Sequence, residues 1–263
     1  MHSNTELPAV VMCDLDNTLY EYDPAHKAAM NAVRSKLNQT MSVKDDDFTR
    51  AFNAAKAEVK AMLGNTAGSH SRLLYFKRMI EALGLKTQPL LSLDLEQTYW
   101  RSFLSSAQLL PGVKEFFEEL HCLNIPRVLV TDLTTQIQLR KLIYFELESS
   151  FDLVVTSEEV GVEKPDGRIF NYALSKVTRG RGPVWMIGDS IEKDMIGAKQ
   201  AVNAHTFLRG GMLRRVNRQE SVDTVFKDFW DLLPLIKGIS SAVFESASNV
   251  ADFNLTHSLS SNE

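Results

Sequence analysis

The chain has 263 residues, 44% hydrophobic and 24% charged, which is enough to build a sizeable core and argues against bulk disorder. A net charge of -4 and a pI near 5.9 disfavour a surface made to hold a nucleic-acid backbone and favour a small ligand. Cys13 and Cys122 are the two cysteines; they give neither a disulfide framework nor zinc-ligand spacing, and no apolar stretch nears the ~20 residues that cross a bilayer.

Met1 to Pro8 is polar, without the charged start and apolar run of a signal peptide. The expectation is a cytoplasmic protein without nucleic-acid or membrane partners. The first apolar run, Ala9 to Cys13, is short and partly β-branched and ends at a polar turn, Asp14-Leu15-Asp16-Asn17-Thr18. It reads as a buried strand running into a loop.

From about Asp23 to Gln108 the apolar residues recur at helical spacing. Helices are expected over Ala25 to Leu37, Asp47 to Leu63, Ser71 to Leu83 and Leu93 to Leu104, broken by Gly64-Asn65-Thr66-Ala67-Gly68. With no convincing strand there, the stretch reads as a helical module of roughly 80 residues.

Pro111-Gly112 then opens a helix, Val113 to Leu123. Four further strands are expected at Arg127 to Thr131, Leu153 to Thr156, Val184 to Ile187 and His205 to Leu208. Helices lie between them at Thr135 to Leu147, Pro165 to about Val177, and Lys193 to Ala201. The alternation predicts an α/β fold, a Rossmann-like parallel sheet core covered on both faces, with the all-helical module inserted after the first strand. The expected boundaries are a core of residues 1–22 and 106–235, a helical cap of 23–105, and a frayed Ser- and Asn-rich tail over 240–263.

Right-handed crossovers put the C-terminal ends of parallel strands on one edge, where ligands of open α/β sheets bind. Asp14, Thr131 and Asp189 each sit at such an end and should converge. Two carboxylates at i and i+2, Asp14 and Asp16, are costly behind a buried strand unless a cation or donors offset them. Magnesium prefers hard oxygen ligands, and a carboxylate beside it can attack phosphorus. Taken alone, each signal has a plainer reading. Asp-x-Asp can be a solvated turn, Thr131 a common strand-end residue, Lys164 a surface lysine, and Asp189 with Ser190 a helix cap.

The ordered set is more specific. Asp14-Leu15-Asp16-Asn17-Thr18-Leu19, Val128 to Thr131, Lys164-Pro165, and Gly188-Asp189 with Asp194 together resemble the haloacid dehalogenase-like superfamily of hydrolases. The resemblance covers roughly residues 9–22 and 106–210. It implies Asp14 as nucleophile, Asp16 as general acid/base, and Thr131 and Lys164 as phosphate-holding groups. It also implies Mg2+ on Asp14, the backbone carbonyl of Asp16, and Asp189. Asp194 would be a further carboxylate at the metal, or position Lys164 or a metal-bound water.

Asp at the position of Asp16 resembles the phosphatases of the family rather than its dehalogenases. The resemblance thus implies hydrolysis of a small phosphate ester, a sugar phosphate or a nucleoside monophosphate, through an aspartyl-phosphate. Asp16-Asn17-Thr18-Leu19-Tyr20 also resembles pyrimidine 5'-nucleotidase-like members. A phosphotransferase or mutase of the same fold, or a non-catalytic phosphate-binding regulator, are the alternatives.

The helical module resembles the family's helical cap. The stretch from Thr131 to Lys164 holds one helix and one strand, leaving no room for a second. One departure is Asp132, where many relatives carry Asn; a carboxylate there needs substrate hydroxyls or a cation to face. In the cap, His70 and Arg72, with Ser69 and Lys77, are polar and near the Gly-rich break. They could meet the substrate or merely open and solvate a helix. Arg209, Arg214, Arg215 and Arg218 read as an exposed basic loop, and Cys13, Trp100, Phe103, Trp185 and Met186 as packing.

Overall fold

The computed structural model describes residues 6–210 and 221–241. Six strands form one parallel sheet in the order β3-β2-β1-β4-β5-β6. They are β1 (Val10–Cys13), β2 (Arg127–Thr131), β3 (Leu153–Thr156), β4 (Val184–Gly188), β5 (His205–Arg209) and β6 (Thr224–Phe226). The alternation along each strand feeds two apolar layers, because successive side chains leave opposite faces. Val11 and Cys13 join one layer with Leu129, Trp185 and Ile187. Val10 and Met12 join the other with Val128, Val130 and Met186. Burial on both faces explains why these strands read as continuous apolar runs.

Between β1 and β2 lie α1 (Tyr22–Met41), α2 (Asp45–Leu63), α3 (Arg72–Ala82), α4 (Pro89–Ser106) and α5 (Val113–Cys122). The first four form the helical insert, with α1 packed on α4 and α2 on α3. α1 buries Ala25, Ala29, Val33 and Leu37, a four-residue spacing that makes one narrow stripe. Its alanines let α4 approach closely, and burying a side chain such as Leu37 contributes about 1.5–3 kcal/mol. Three aspartates, Asp45, Asp46 and Asp47, occupy the first turn of α2, where negative charge suits the helix dipole. Ser71 caps α3, its Oγ accepting from the Leu74 N–H at 3.3 Å.

The remaining helices are α6 (Thr135–Tyr144), α7 (Ser157–Val160), α8 (Gly167–Ser175) and α9 (Gly197–Val202), the last preceded by a π-helical turn, Ile191–Ile196. α8 starts two residues later than Pro165, because Asp166 serves as its cap and accepts from the Arg168 N–H at 2.9 Å. The short strand β6 and a final helix, α10, over 229–241 were not among the expected elements. Ser240, which is buried, and Ser241 therefore lie in a helix; the expected tail from 242 onward lies outside the described residues. Among the described residues no helix is long and apolar enough to cross a membrane.

Candidate active site

The parallel sheet brings Asp14, Thr131 and Asp189 to one edge, since each ends or follows a strand pointing the same way. The Asp14 N–H donates to the Ile187 carbonyl at 2.9 Å, which ties the loop after β1 to β4. Lys164 enters from the loop before α8. Its Nζ lies 2.6 Å from Asp14 Oδ1 and 2.7 Å from Asp194 Oδ1, and donates to the Val130 carbonyl at 3.0 Å. Thr18 Oγ1 donates to the other Asp14 oxygen at 3.2 Å. Lys164, Asp14 and Asp194 are all buried.

Gly188 allows this arrangement. A Cβ there would lie 2.5 Å from the Asp194 carboxyl carbon, so any larger residue would push that carboxylate off Lys164. Ser190 does the capping the sequence suggested, its Oγ accepting from the Lys193 N–H at 3.2 Å. It also gives its own N–H to Asp194 Oδ2 at 3.0 Å.

Charge in this cluster is unbalanced. Burial pushes the Asp14 carboxyl well above its ordinary range; Lys164 pulls it back, but Asp194 and Asp189 push it up again. Burial, then Asp194, pushes Asp189 up to about 6. Lys164 is also buried, yet Asp14 and Asp194 hold it protonated well beyond the usual range. One oxygen each from Asp14, Asp189 and Asp194 lie within 4.8 Å of one another. Three carboxylates so close, with two resisting ionisation, form a donor set that fits a hard divalent cation.

Asp16 points elsewhere. Its carboxylate accepts from Lys141 Nζ at 2.6 and 2.9 Å and from the Tyr20 hydroxyl. Burial raises its pKa, but Lys141 and then Tyr20 and Gln138 outweigh that and hold it below the ordinary value. Lys141 is 0% exposed and sits within 6 Å of the Tyr20, Trp100 and Phe103 rings; burial pulls its ammonium below the ordinary range, and Asp16 pushes it back up in part. Gln138, one turn earlier on α6, donates to Thr131 Oγ1 at 2.6 Å and to the Asp132 carbonyl at 2.7 Å. It fixes the end of β2.

Asp132 does face a cation, together with a backbone donor. It accepts from the Lys164 backbone N–H at 3.0 Å and from Lys193 Nζ at 2.8 Å. Lys193 is also 3.6 Å from Glu163, whose other oxygen lies 3.0 Å from His70 Nε2. His70 thus links the insert to the loop carrying Lys164.

These groups line one cavity of about 450 Å³ between insert and sheet edge. Asp14, Asp16, Asn17, Thr131, Asp132, Lys164, Asp189 and Asp194 line it from the core, and His70 and Arg72 from the insert. Asn17 turns the chain at φ 60 and accepts the Tyr22 N–H at 2.9 Å.

Two cap candidates are not brought to it. Lys77 pairs with Glu81 at 2.7 Å on the α3 surface. Ser69 is buried, and its carbonyl accepts from the Tyr75 hydroxyl. Arg209 is no free loop residue either: it donates to the Asn17 carbonyl and to Glu21. Arg214, Arg215 and Arg218 lie outside the described residues. Burial, with Asp14 beside it, pushes the Cys13 thiol well up, as suits a packing residue. Trp100 and Phe103 pack where expected but also sit over Lys141.

Residues 8–201 match the family profile of the haloacid dehalogenase-like hydrolases. A ribulose-1,5-bisphosphate 5-phosphatase from Halopiger xanaduensis is 37% identical over 77% of this chain and 84% of its own. The pyrimidine 5'-nucleotidase YjjG of Escherichia coli is 27% identical over 74% of this chain and 86% of its own. In fold, the putative HAD-hydrolase YfnB of Bacillus subtilis, solved bound to magnesium, superposes with a TM-score of 0.65 at 18% identity, covering 88% of this chain and 100% of that one. With the ordered carboxylates, threonine and lysine at one sheet edge, the chain belongs to the haloacid dehalogenase-like hydrolases, on their phosphatase branch.

Proposed function

We propose that the chain is a Mg2+-dependent phosphomonoester hydrolase that passes through an aspartyl-phosphate on Asp14. The observation carrying this reading is the ion cluster in which Lys164 bridges Asp14 and Asp194 beside Asp189. Asp14, Asp189 and Asp194 would hold the Mg2+, with the Asp16 backbone carbonyl as the fourth protein oxygen. Bound there, the cation offsets the negative charge that gathers on the transferring phosphoryl group.

Asp14 attacks phosphorus, and the bond from phosphorus to the leaving oxygen breaks as the aspartyl-phosphate forms. Lys164 and Thr131 bind the phosphoryl oxygens, and Lys164 keeps the nucleophile oriented. Asp16 gives a proton to the leaving alkoxide and takes one from the attacking water in the second half. Lys141 favours its ionised form, which is the form that takes a proton from the attacking water in the second half. Gln138 positions Thr131, and Lys193 with Glu163 and His70 braces the loop that holds Lys164.

The boundaries 1–22 with 106–235 and 23–105 describe a catalytic core and a cap that closes the cleft against water. The substrate is a small phosphorylated metabolite, a sugar phosphate or a nucleoside monophosphate; the relatives above act on one of each. The exposed free thiol of Cys122 suits a reducing compartment such as the cytoplasm.

The test is phosphate release from sugar phosphates and nucleoside monophosphates, with Mg2+ and then with excess chelator. Release is expected to need the metal, and Asp14→Asn should lower it by more than about a thousandfold while the circular dichroism melt is kept. Full activity in that variant, or release indifferent to chelator, would sink the mechanism.

A further inference from the structure

The insert side of the cleft carries more positive charge than its own residues balance. Lys56 and Lys60 stand four apart on α2, and both line the cavity with Phe52. Like charges at this spacing repel, and among the described residues neither lysine makes an ion pair. The nearby Glu58 goes to Arg78 instead, at 3.5 Å.

Arg72 adds a third cation. Its Nη1 donates to the His70 carbonyl at 2.7 Å and its Nη2 to the Tyr22 hydroxyl, while Nε is buried without a partner. No carboxylate meets this guanidinium among the described residues; the faces of Tyr75, Tyr99 and Trp100 do.

Asp23 is the insert's own carboxylate on the cavity wall. His26 reports the resulting field: burial, then Arg72 and Lys56, push its imidazole down to about 4. The core cations have no such surplus, since Lys164 is matched by Asp14 and Asp194 and Lys193 by Asp132.

We propose that Lys56, Lys60 and Arg72 form a second anion site, holding a phosphate group remote from the scissile one, so that the preferred substrate is a bisphosphorylated small molecule. This deepens the phosphohydrolase reading and rests on it for the position of the scissile group. Two lysines offer ammonium donors and the guanidinium adds positive charge for a dianion, and a cavity of about 450 Å³ lies in the range that encloses a small metabolite. Both lysines are exposed on α2, so replacing them leaves the helix packing intact.

The test is calorimetric binding to the Asp14→Asn protein with Mg2+. Ribulose 1,5-bisphosphate is compared with ribulose 5-phosphate, and fructose 1,6-bisphosphate with fructose 6-phosphate. The bisphosphate of at least one pair is expected to bind tighter by about tenfold or more. Adding Lys56→Met and Lys60→Met should shrink that ratio to about twofold or less. Equal binding within both pairs, no measurable binding of either bisphosphate, or a ratio that survives the lysine substitutions overturns the site. A third arm uses 3-phosphoglycerate; if it binds as tightly as the bisphosphates, the distal group is a carboxylate and the assignment to phosphate falls. Binding is read in a variant without the nucleophile, so its failure is separate from a failure of phosphate release.

Discussion

The two walls of the cleft handle charge in opposite ways. On the core wall each cation meets a carboxylate within about 3 Å, as Lys164 does with Asp14 and Asp194, Lys193 with Asp132 and Lys141 with Asp16. On the insert wall Lys56, Lys60 and Arg72 face the cavity with Asp23 as the insert's carboxylate there and no ion pair among the described residues. The core wall is organised before substrate arrives, which is what electrostatic stabilisation of a transition state requires. The insert wall is completed only by a ligand. Chemistry and selection are thus separated by how much of the charge the protein itself neutralises.

Lys164→Met should break the core wall most severely. It leaves Asp14 and Asp194 buried and facing each other, a loss of about 3–5 kcal/mol. The melting temperature should fall by roughly 10 °C, and turnover should vanish. Excess Mg2+ should recover part of the melting temperature without recovering turnover. An unchanged melt would mean that the ion cluster is not as closed as its distances indicate.

A smaller effect sharpens the same contrast through pH. Asp189 is pushed from 3.8 up to about 6, and Asp14 moves the same way. Between those values the folded chain keeps a proton that the unfolded chain has released. Raising pH through that window therefore weakens the metal-free fold, and the share that Asp189 contributes is lost by about pH 6. A cation binds the ionised carboxylates, so it competes with those protons. The rise in melting temperature given by Mg2+ should be larger at about pH 7.5 than at about pH 5, by a few degrees. An equal rise at both would show that these carboxylates do not hold the ion.

The smallest effect is a control outside both walls. Lys77→Ala removes a pair with Glu81 on the α3 surface, and neither KM nor the melting temperature should move. A raised KM would place Lys77 on the substrate path after all.

Much of the core wall was legible in the sequence because strand ends are. A short apolar run closed by Asp14, Thr131 or Gly188-Asp189 fixes both the element and the edge on which its last residue lands. Asp132 needs substrate hydroxyls or a cation to face, and Lys193 supplies the cation while the Lys164 backbone N–H supplies a neutral donor. The helical contributions were not legible. Lys141 and Gln138 sit one turn apart on α6, and nothing in their spacing says that this polar face turns inward against Asp16 and Thr131. Lys56 and Lys60 look like any exposed helical lysines until their lack of an ion pair among the described residues is set against the cavity they line. His70 and Arg72 were picked out by their place near a glycine-rich break, but that rule also picked out Lys77 and Ser69, because proximity along the chain does not give the direction of a side chain. β6 and α10 escaped notice since three strand residues carry too little periodicity, and Pro234 and Gly238 interrupt the apolar run that forms the helix.

The insert leaves and rejoins the core at one place. Leu110 N–H donates to the Leu19 carbonyl at 2.8 Å, and Tyr20 bridges Leu109 antiparallel. The whole helical bundle hangs from this two-stranded stem, whose Tyr20 hydroxyl reaches Asp16. Such a joint makes the bundle portable. A lineage can exchange the helices wholesale, and with them the menu of accepted esters, while inheriting the stem and the reaction beneath it unchanged.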